Sequence, residues 1–316
     1  MEYRQLGKSD LKVSRIGLGA MQFGPMWIKE KKVMKDILNY ALDNGVNFID
    51  TAEVYGKYMS ETVIGEGLKE RGDRDDLIIA TKVHPFNLRY DDVIKAAEGS
   101  LKRLQTDVID LYQVHHHNPY PPASGTMKAL DDLLKEGKVR YVGVSNYSVS
   151  LMKEAMDLLK NGEIISNQME YNLLVRDIET EILPFQRENG IATIAYSPLA
   201  MGVLSGKYDE KTELDEKDYR RNDPLFMNKE NLGEAQKLIS VMREIGASHE
   251  ATPAEVALNW LLKSDDVFLI FGSKNIEQAK SNISASKWSL SEDEWERITA
   301  TSDNINLDFS IDFSKL

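Results

Sequence analysis

The chain has 316 residues and no cysteine. It is 42% hydrophobic and 28% charged, so it can bury a large core and has the balance of a globular rather than a disordered protein. No apolar run is long enough for a membrane helix, Met1–Arg4 lacks the apolar stretch of a signal peptide, and thiol chemistry is excluded; a cytoplasmic protein with no membrane partner is expected. The net charge of −12 disfavours nucleic acid, and a phosphorylated cofactor would need a local basic patch.

Tyr3–Leu6 and Leu11–Val13 flank Gly7-Lys8-Ser9-Asp10 and read as a β-hairpin. Short apolar runs then alternate with amphipathic stretches. Strands are predicted at Ile16–Leu18, Val46–Asp50, Leu77–Val83, Val108–Val114, Val139–Val144, Ile164–Gln168, Ile191–Tyr196 and Val267–Phe271. Helices are predicted near 30–44, 60–71, 91–105, 125–136, 149–160 and 177–189, then as one long element in 229–263, and at 275–284. Gly45 and Gly190 stand where helix C-terminal caps fall, and Asp91 and Ser148 where N-caps fall.

Strands separated by helices in this way predict an α/β fold, most simply a parallel sheet closed into an eight-stranded barrel, which leaves no exposed edge. Another helix at Leu290–Thr301 and an acidic, irregular end follow. The expectation is a single domain, 1–316, with an N-terminal β-hairpin and extra C-terminal helices. A doubly wound dinucleotide fold fits less well, because Gly17-Leu18-Gly19-Ala20-Met21-Gln22 supplies only two of the three fingerprint glycines. No Tyr-x-x-x-Lys pair occurs either.

Chemistry in such a barrel sits where strands end. At period two, Val46, Phe48 and Asp50 share one face, so a carboxylate points where apolar residues point and needs a cation. Lys82 near the end of the next strand can supply it, and His115 follows directly on the strand after that. Tyr55 lies in the turn leaving the Asp50 strand. A phenol of pKa about 10 donates a proton sluggishly, but a lysine at about 4 Å could favour the phenolate by up to roughly 4 kcal/mol. Asp50 would orient Lys82, and a neutral His115 would donate to a substrate carbonyl oxygen. Alternatively, Asp50 and Lys82 form a structural ion pair. His115-His116-His117 offers a metal too few ligands, so no metal is expected.

FIDTAEVYG, ATKV and DLYQVH, carrying Asp50, Tyr55, Lys82 and His115, resemble the catalytic motifs of the aldo-keto reductase superfamily over nearly the whole chain. The branch resembled includes bacterial and archaeal reductases and the potassium-channel β subunits. The resemblance implies a TIM barrel that binds NADPH (NADH being the less expected alternative) and transfers hydride to an aldehyde or ketone. Tyr55 would be the general acid. Ser145, Asn146 and Gln168 would hold the nicotinamide carboxamide and face, with Tyr196 stacked on the ring. Gly19 and Met21 at the first strand end, Ser197-Pro198-Leu199, and Gly202, Ser205 and Lys207 of the MGVLSGK stretch would line the rest of the cofactor. Gly272-Ser273-Lys274, with Gln278 and Asn282, resembles the site for the adenosine 2′-phosphate. Two positions depart from the family pattern: Phe271 stands where proline is frequent, and Gln278 where arginine is, so the phosphate contact shifts onto Lys274.

Trp27 and His116 are candidate substrate-pocket residues. The charged 208–228 stretch is expected to be a mobile lid over the cofactor. The partner implied is a small-molecule carbonyl compound. The same residues also allow a second role, an NADPH-binding regulatory or sensor subunit resembling the channel β subunits.

Overall fold

A computed structural model describes residues 1–72 and 74–310; the last six residues of the acidic end expected from sequence lie outside the described residues. The antiparallel hairpin β1 (Tyr3–Gln5) and β2 (Lys12–Ser14) precedes eight parallel strands. These are β3 (Ile16–Gly19), β4 (Phe48–Asp50), β5 (Ile78–Val83), β6 (Ile109–Val114), β7 (Val139–Ser145), β8 (Ile164–Glu170), β9 (Ala192–Tyr196) and β10 (Val267–Phe271). β10 pairs with both β9 and β3, so the sheet closes on itself. The buried Arg15 guanidinium reinforces that closure by donating to the carbonyls of Val267 (3.0 Å), Leu262 (3.0 Å) and Ser264 (2.5 Å).

Helices α1 (Lys31–Asp43), α2 (Met59–Arg71), α3 (Tyr90–Leu104), α4 (Ala123–Lys135), α5 (Val149–Leu158) and α6 (Ile182–Asn189) alternate with strands β4 to β9. They are followed by α7 (Pro224–Met227), α8 (Lys229–Ser248), α9 (Pro253–Leu261), α10 (Ile276–Ser284) and α11 (Glu292–Asp303). The long helix expected over 229–263 is therefore two. A chain reversal at 249–252 separates them, and Thr252 with Glu255 forms a capping box that restarts the helix at Pro253. Ser148 caps α5 as expected, accepting from the Leu151 N–H, and Gly190 ends α6 with a φ of 64°. Gly45 lies one residue past the Asn44 cap of α1. Asp91 is not an N-cap. α3 begins at Tyr90 after Arg89, and Asp91 sits in the first turn, where its charge suits the helix dipole.

Two ends of the barrel differ. Leu6 and Leu11 of the hairpin are fully buried and join Phe48, Ile78, Ala80, Leu111, Ile194, Phe268 and Ile270 in one inner cluster. The hairpin thus stops the end where the strands begin. At the other end the inward positions become polar. Gly143 is needed in the wall there, because a Cβ would come 2.5 Å from Ser166 Oγ and 3.1 Å from Gln113 Cγ. A register shift between β7 and β8, with Val142 opposite Ile164 but Val144 opposite Asn167, brings Gln168 level with Ser145. Among the described residues no helix is long and apolar enough to cross a membrane.

Candidate active site

Asp50, Lys82 and His115 meet at the open end because β4, β5 and β6 are consecutive neighbours with Phe48 opposite Ile78 and Lys82 opposite Gln113. Lys82 is wholly buried, and its Nζ donates to Asp50 Oδ1 at 2.5 Å and to the Thr51 carbonyl at 2.8 Å. Asp50 is buried too, and its second oxygen accepts from Gln113 Nε2 (3.1 Å) and Gln168 Nε2 (2.8 Å). The carboxylate is thus saturated, the condition under which a charged pair survives in an apolar barrel. Gln113 was not singled out from sequence. Its place on the Ile109, Leu111, His115 face was the available signal.

Tyr55 Oη lies 3.5 Å from Lys82 Nζ on one side and 3.5 Å from His115 Nε2 on the other. The turn that carries it is tightly held. Thr51 and Ser60 exchange a 2.8 Å hydroxyl contact, Ser60 donates to the Ala20 carbonyl, and Gly56 packs against Gly24 so closely that a Cβ on it would sit 2.8 Å from Gly24 Cα.

Burial pushes the Tyr55 phenol above its ordinary pKa, and the opposing pull of Lys82 does not overcome it. Lys82 favours the phenolate as expected, but in the resting site desolvation is the larger effect and Tyr55 keeps its proton. For Lys82, burial acts downward but Asp50 and Tyr55 outweigh it, so the ammonium is held above its ordinary value. His115 is pushed down to about 2 by burial first, then by Lys82, His116 and His84. It is neutral, and among the described residues its buried Nδ1 has no partner.

The other expected residues cluster in two groups. Beside the tetrad, Ser145 Oγ donates to the Gln168 carbonyl (3.0 Å), Asn146 Nδ2 to Ser145 Oγ (2.9 Å), and Tyr196 Oη to Asn146 Oδ1 (2.9 Å). Gln168 itself turns its amide N–H toward Asp50. Glu170, opposite Tyr196 on β8, is lifted to about 7 by burial and then by Asp223. Beyond β9 the backbone is strained, with positive φ at Ser197 (49°), Ala200 (46°), Met201 (52°) and Gly202 (97°). Pro198 and Leu199 lie within this run, and Ser205 Oγ donates back to the Gly202 carbonyl at 2.6 Å. Lys207 is exposed.

At the end of β10, Ser273 and Asn282 are buried, and Asn282 Nδ2 donates to the Gly272 carbonyl (3.2 Å). Gln278 Oε1 accepts from the Lys274 backbone N–H (2.8 Å). Gln22, missed in the sequence, has a buried Oε1 pressed over Gly272 and without a hydrogen-bond partner among the described residues. Gly19 ends β3 within reach of the Phe271 carbonyl, and Met21 is exposed.

Trp27, expected to wall an apolar pocket, carries the Lys274 ammonium over its ring at 4.0 Å and meets Tyr219 edge-on at 4.9 Å. The 208–228 stretch holds a buried charge among its exposed ones. Arg220 is buried, pairs with Asp218, and donates to Tyr208 Oη (2.8 Å) and the Met201 carbonyl (3.1 Å). His116 stacks on His115 with centroids 5.2 Å apart, and its Nε2 lies 3.5 Å from Asn146 Nδ2.

The chain matches the model of the aldo/keto reductase family over residues 15–303 and belongs to that family. It is similar to aldo-keto reductase YhdN of Bacillus subtilis, 32% identical over 96% of this chain and 94% of that one. An uncharacterized oxidoreductase of Mycobacterium tuberculosis is 38% identical over 88% of this chain and 86% of its own. Among solved structures, a glycerol dehydrogenase of Gluconobacter oxydans superposes with a TM-score of 0.88 at 27% identity, covering 98% of both chains. A thermostable aldo-keto reductase in complex with the inhibitor epalrestat gives 0.80 at 32% identity, over 95% of this chain and all of that one. The protein is thus a TIM-barrel, NAD(P)H-dependent oxidoreductase acting on small-molecule carbonyl compounds.

The neutral state of His115 has a thermodynamic consequence. Its folded pKa lies below its unfolded value of 6.5, so stability is complete above that pH and is lost as pH falls through and below it. The urea midpoint should drop between pH 6.5 and about 4.5, and drop less steeply in His115→Phe; parallel profiles would contradict this.

Proposed function

We propose that the protein reduces aldehydes or ketones with NADPH and that Tyr55 is the proton donor. The carrying observation is the position of the Tyr55 hydroxyl, 3.5 Å from both a buried, carboxylate-held ammonium and a neutral imidazole. A bound nicotinamide cofactor supplies the hydride that reaches the carbonyl carbon. The chain's own groups manage the oxygen. Tyr55 and His115 Nε2–H donate to it, and as negative charge develops the Tyr55 proton passes to it, completing the alcohol. The phenolate left behind is stabilised by Lys82, whose pull becomes decisive only when that charge forms. Asp50 keeps Lys82 charged and fixed, while Gln113 and Gln168 keep Asp50 in place.

The residues present fit a dinucleotide. Ser145, Asn146 and Tyr196 form a connected polar surface next to Tyr55, suited to a carboxamide and a flat ring. The unpartnered Gln22 Oε1 beside Gly272 is an acceptor for a hydroxyl or amino donor. For the 2′-phosphate, Lys274 supplies the cation, with Gln278 in place of a bidentate arginine. Lys280 is engaged by Glu277 at 2.9 Å, which leaves Lys274 the better placed of the two.

Tyr55→Phe should lower kcat for aldehyde reduction at least roughly 100-fold while leaving the NADPH dissociation constant within about twofold. Retained turnover would remove Tyr55 from the mechanism. Lys274→Ala should weaken NADPH binding by roughly tenfold and NADH binding little; equal losses in fluorescence titrations would count against phosphate reading by Lys274.

A further inference from the structure

Tyr55 stands in a turn whose backbone is held in an unfavourable shape. Gly56, Lys57 and Tyr58 follow it with φ of 60°, 55° and 73°. Glycine accepts such values freely, but a lysine and a tyrosine do not. Residues of that kind stay left-handed only where their surroundings over-determine them. A turn of this shape relaxes when released, and the Tyr55 hydroxyl moves with it.

The hold comes from β5 and from the helices outside it. At the start of the turn the Glu53 N–H donates to the Lys82 carbonyl at 3.3 Å. At its end α2 begins, and the Ser60 N–H donates to the Tyr55 carbonyl, also at 3.3 Å. The next residue, Glu61, is wholly buried. Its Oε1 accepts from the Thr81 hydroxyl and its Oε2 from Arg103 Nε, both at 2.6 Å. Thr81 is the neighbour of Lys82 on β5 and, at period two, faces away from the barrel interior. Arg103 also lies over the Tyr58 ring, with Cζ 4.6 Å from the centroid. Gly65, one turn of α2 beyond Glu61, lets α3 come this close, because a Cβ there would sit 2.3 Å from the Arg103 carbonyl oxygen. Both ends of the turn are thus tied to the strand that carries Lys82.

We propose that Glu61 and Arg103 are positioning residues for the reaction. With Thr81 and Tyr58 they form a clamp outside the barrel that keeps the Tyr55 hydroxyl 3.5 Å from both Lys82 and His115. The clamp acts through the turn and not on the substrate. Glu61 fixes the first turn of α2 against β5, and Arg103, held by Glu61, presses on the strained Tyr58. A phenol displaced from that position transfers its proton slowly even when its charge state is right.

The inference rests on the reductase reading, and single-turnover oxidation of bound NADPH by excess propanal, glyceraldehyde or 4-nitrobenzaldehyde separates the two. Tyr58 is half exposed, so its variants leave the fold intact. Tyr58→Leu, which removes the ring but not the left-handed strain, should slow the step roughly fivefold, and Tyr58→Phe should keep the wild-type rate. Arg103→Met should slow it at least roughly tenfold. In all three the NADPH dissociation constant and the half-saturating aldehyde concentration should stay within about twofold. The Tyr58 pair decides the matter if Arg103→Met does not fold. Wild-type rates in Tyr58→Leu, equal slowing in Tyr58→Phe, or a loss of NADPH affinity in proportion to rate overturns the clamp alone. A wild type that oxidises NADPH with none of the three aldehydes overturns the reductase reading and this inference with it.

Discussion

Everything at the open end of this barrel depends on how an ammonium ion is kept inside it. Lys82 and Asp50 are both removed from water, and an unpaired charge in that position would be untenable. The solution is complete saturation. Lys82 has Asp50, the Thr51 carbonyl and Tyr55, while Asp50 has Lys82, Gln113 and Gln168. Four strands contribute to the network, so barrel closure and charge burial stabilise each other. Removing one partner does not merely delete a contact; it leaves an uncompensated charge for the remaining groups.

The network also sets the direction of the chemistry. In the resting site burial keeps Tyr55 protonated and His115 neutral, the states that the proposed mechanism requires of two donors to a substrate oxygen. Lys82 is charged before any substrate arrives. On the proposed mechanism the site is organised for charge that appears during the reaction rather than for charge already present, the arrangement that gives electrostatic catalysis its force. The hairpin stopper at the opposite end leaves these groups a single open mouth.

Much of this was legible in the sequence. Period-two alternation on three neighbouring strands was enough to align Asp50, Lys82 and His115, because a strand's face is a local property. The hairpin, all eight strands and the Ser148 cap followed from equally local signals. What escaped depended on long-range geometry. Gln168 reaches Asp50 only because of the register shift between β7 and β8, which no local pattern encodes. The sign of the Tyr55 shift escaped because burial of a loop tyrosine is a tertiary fact. Arg220 looked like one more exposed charge in a polar stretch, and only the fold reveals Tyr208 and the Met201 carbonyl beside it. The break at 249–252 was masked by continuous helical periodicity across a turn.

The central claim is that the Asp50-held Lys82 ammonium makes Tyr55 a working acid. Multiple-turnover NADPH oxidation across a panel of carbonyl compounds, comparing the wild type with Lys82→Met, tests it most directly. The account predicts many turnovers in the wild type and a loss of at least roughly 100-fold in Lys82→Met with the cofactor still bound. A wild type that stops after one turnover, or a variant that matches it, would contradict the account.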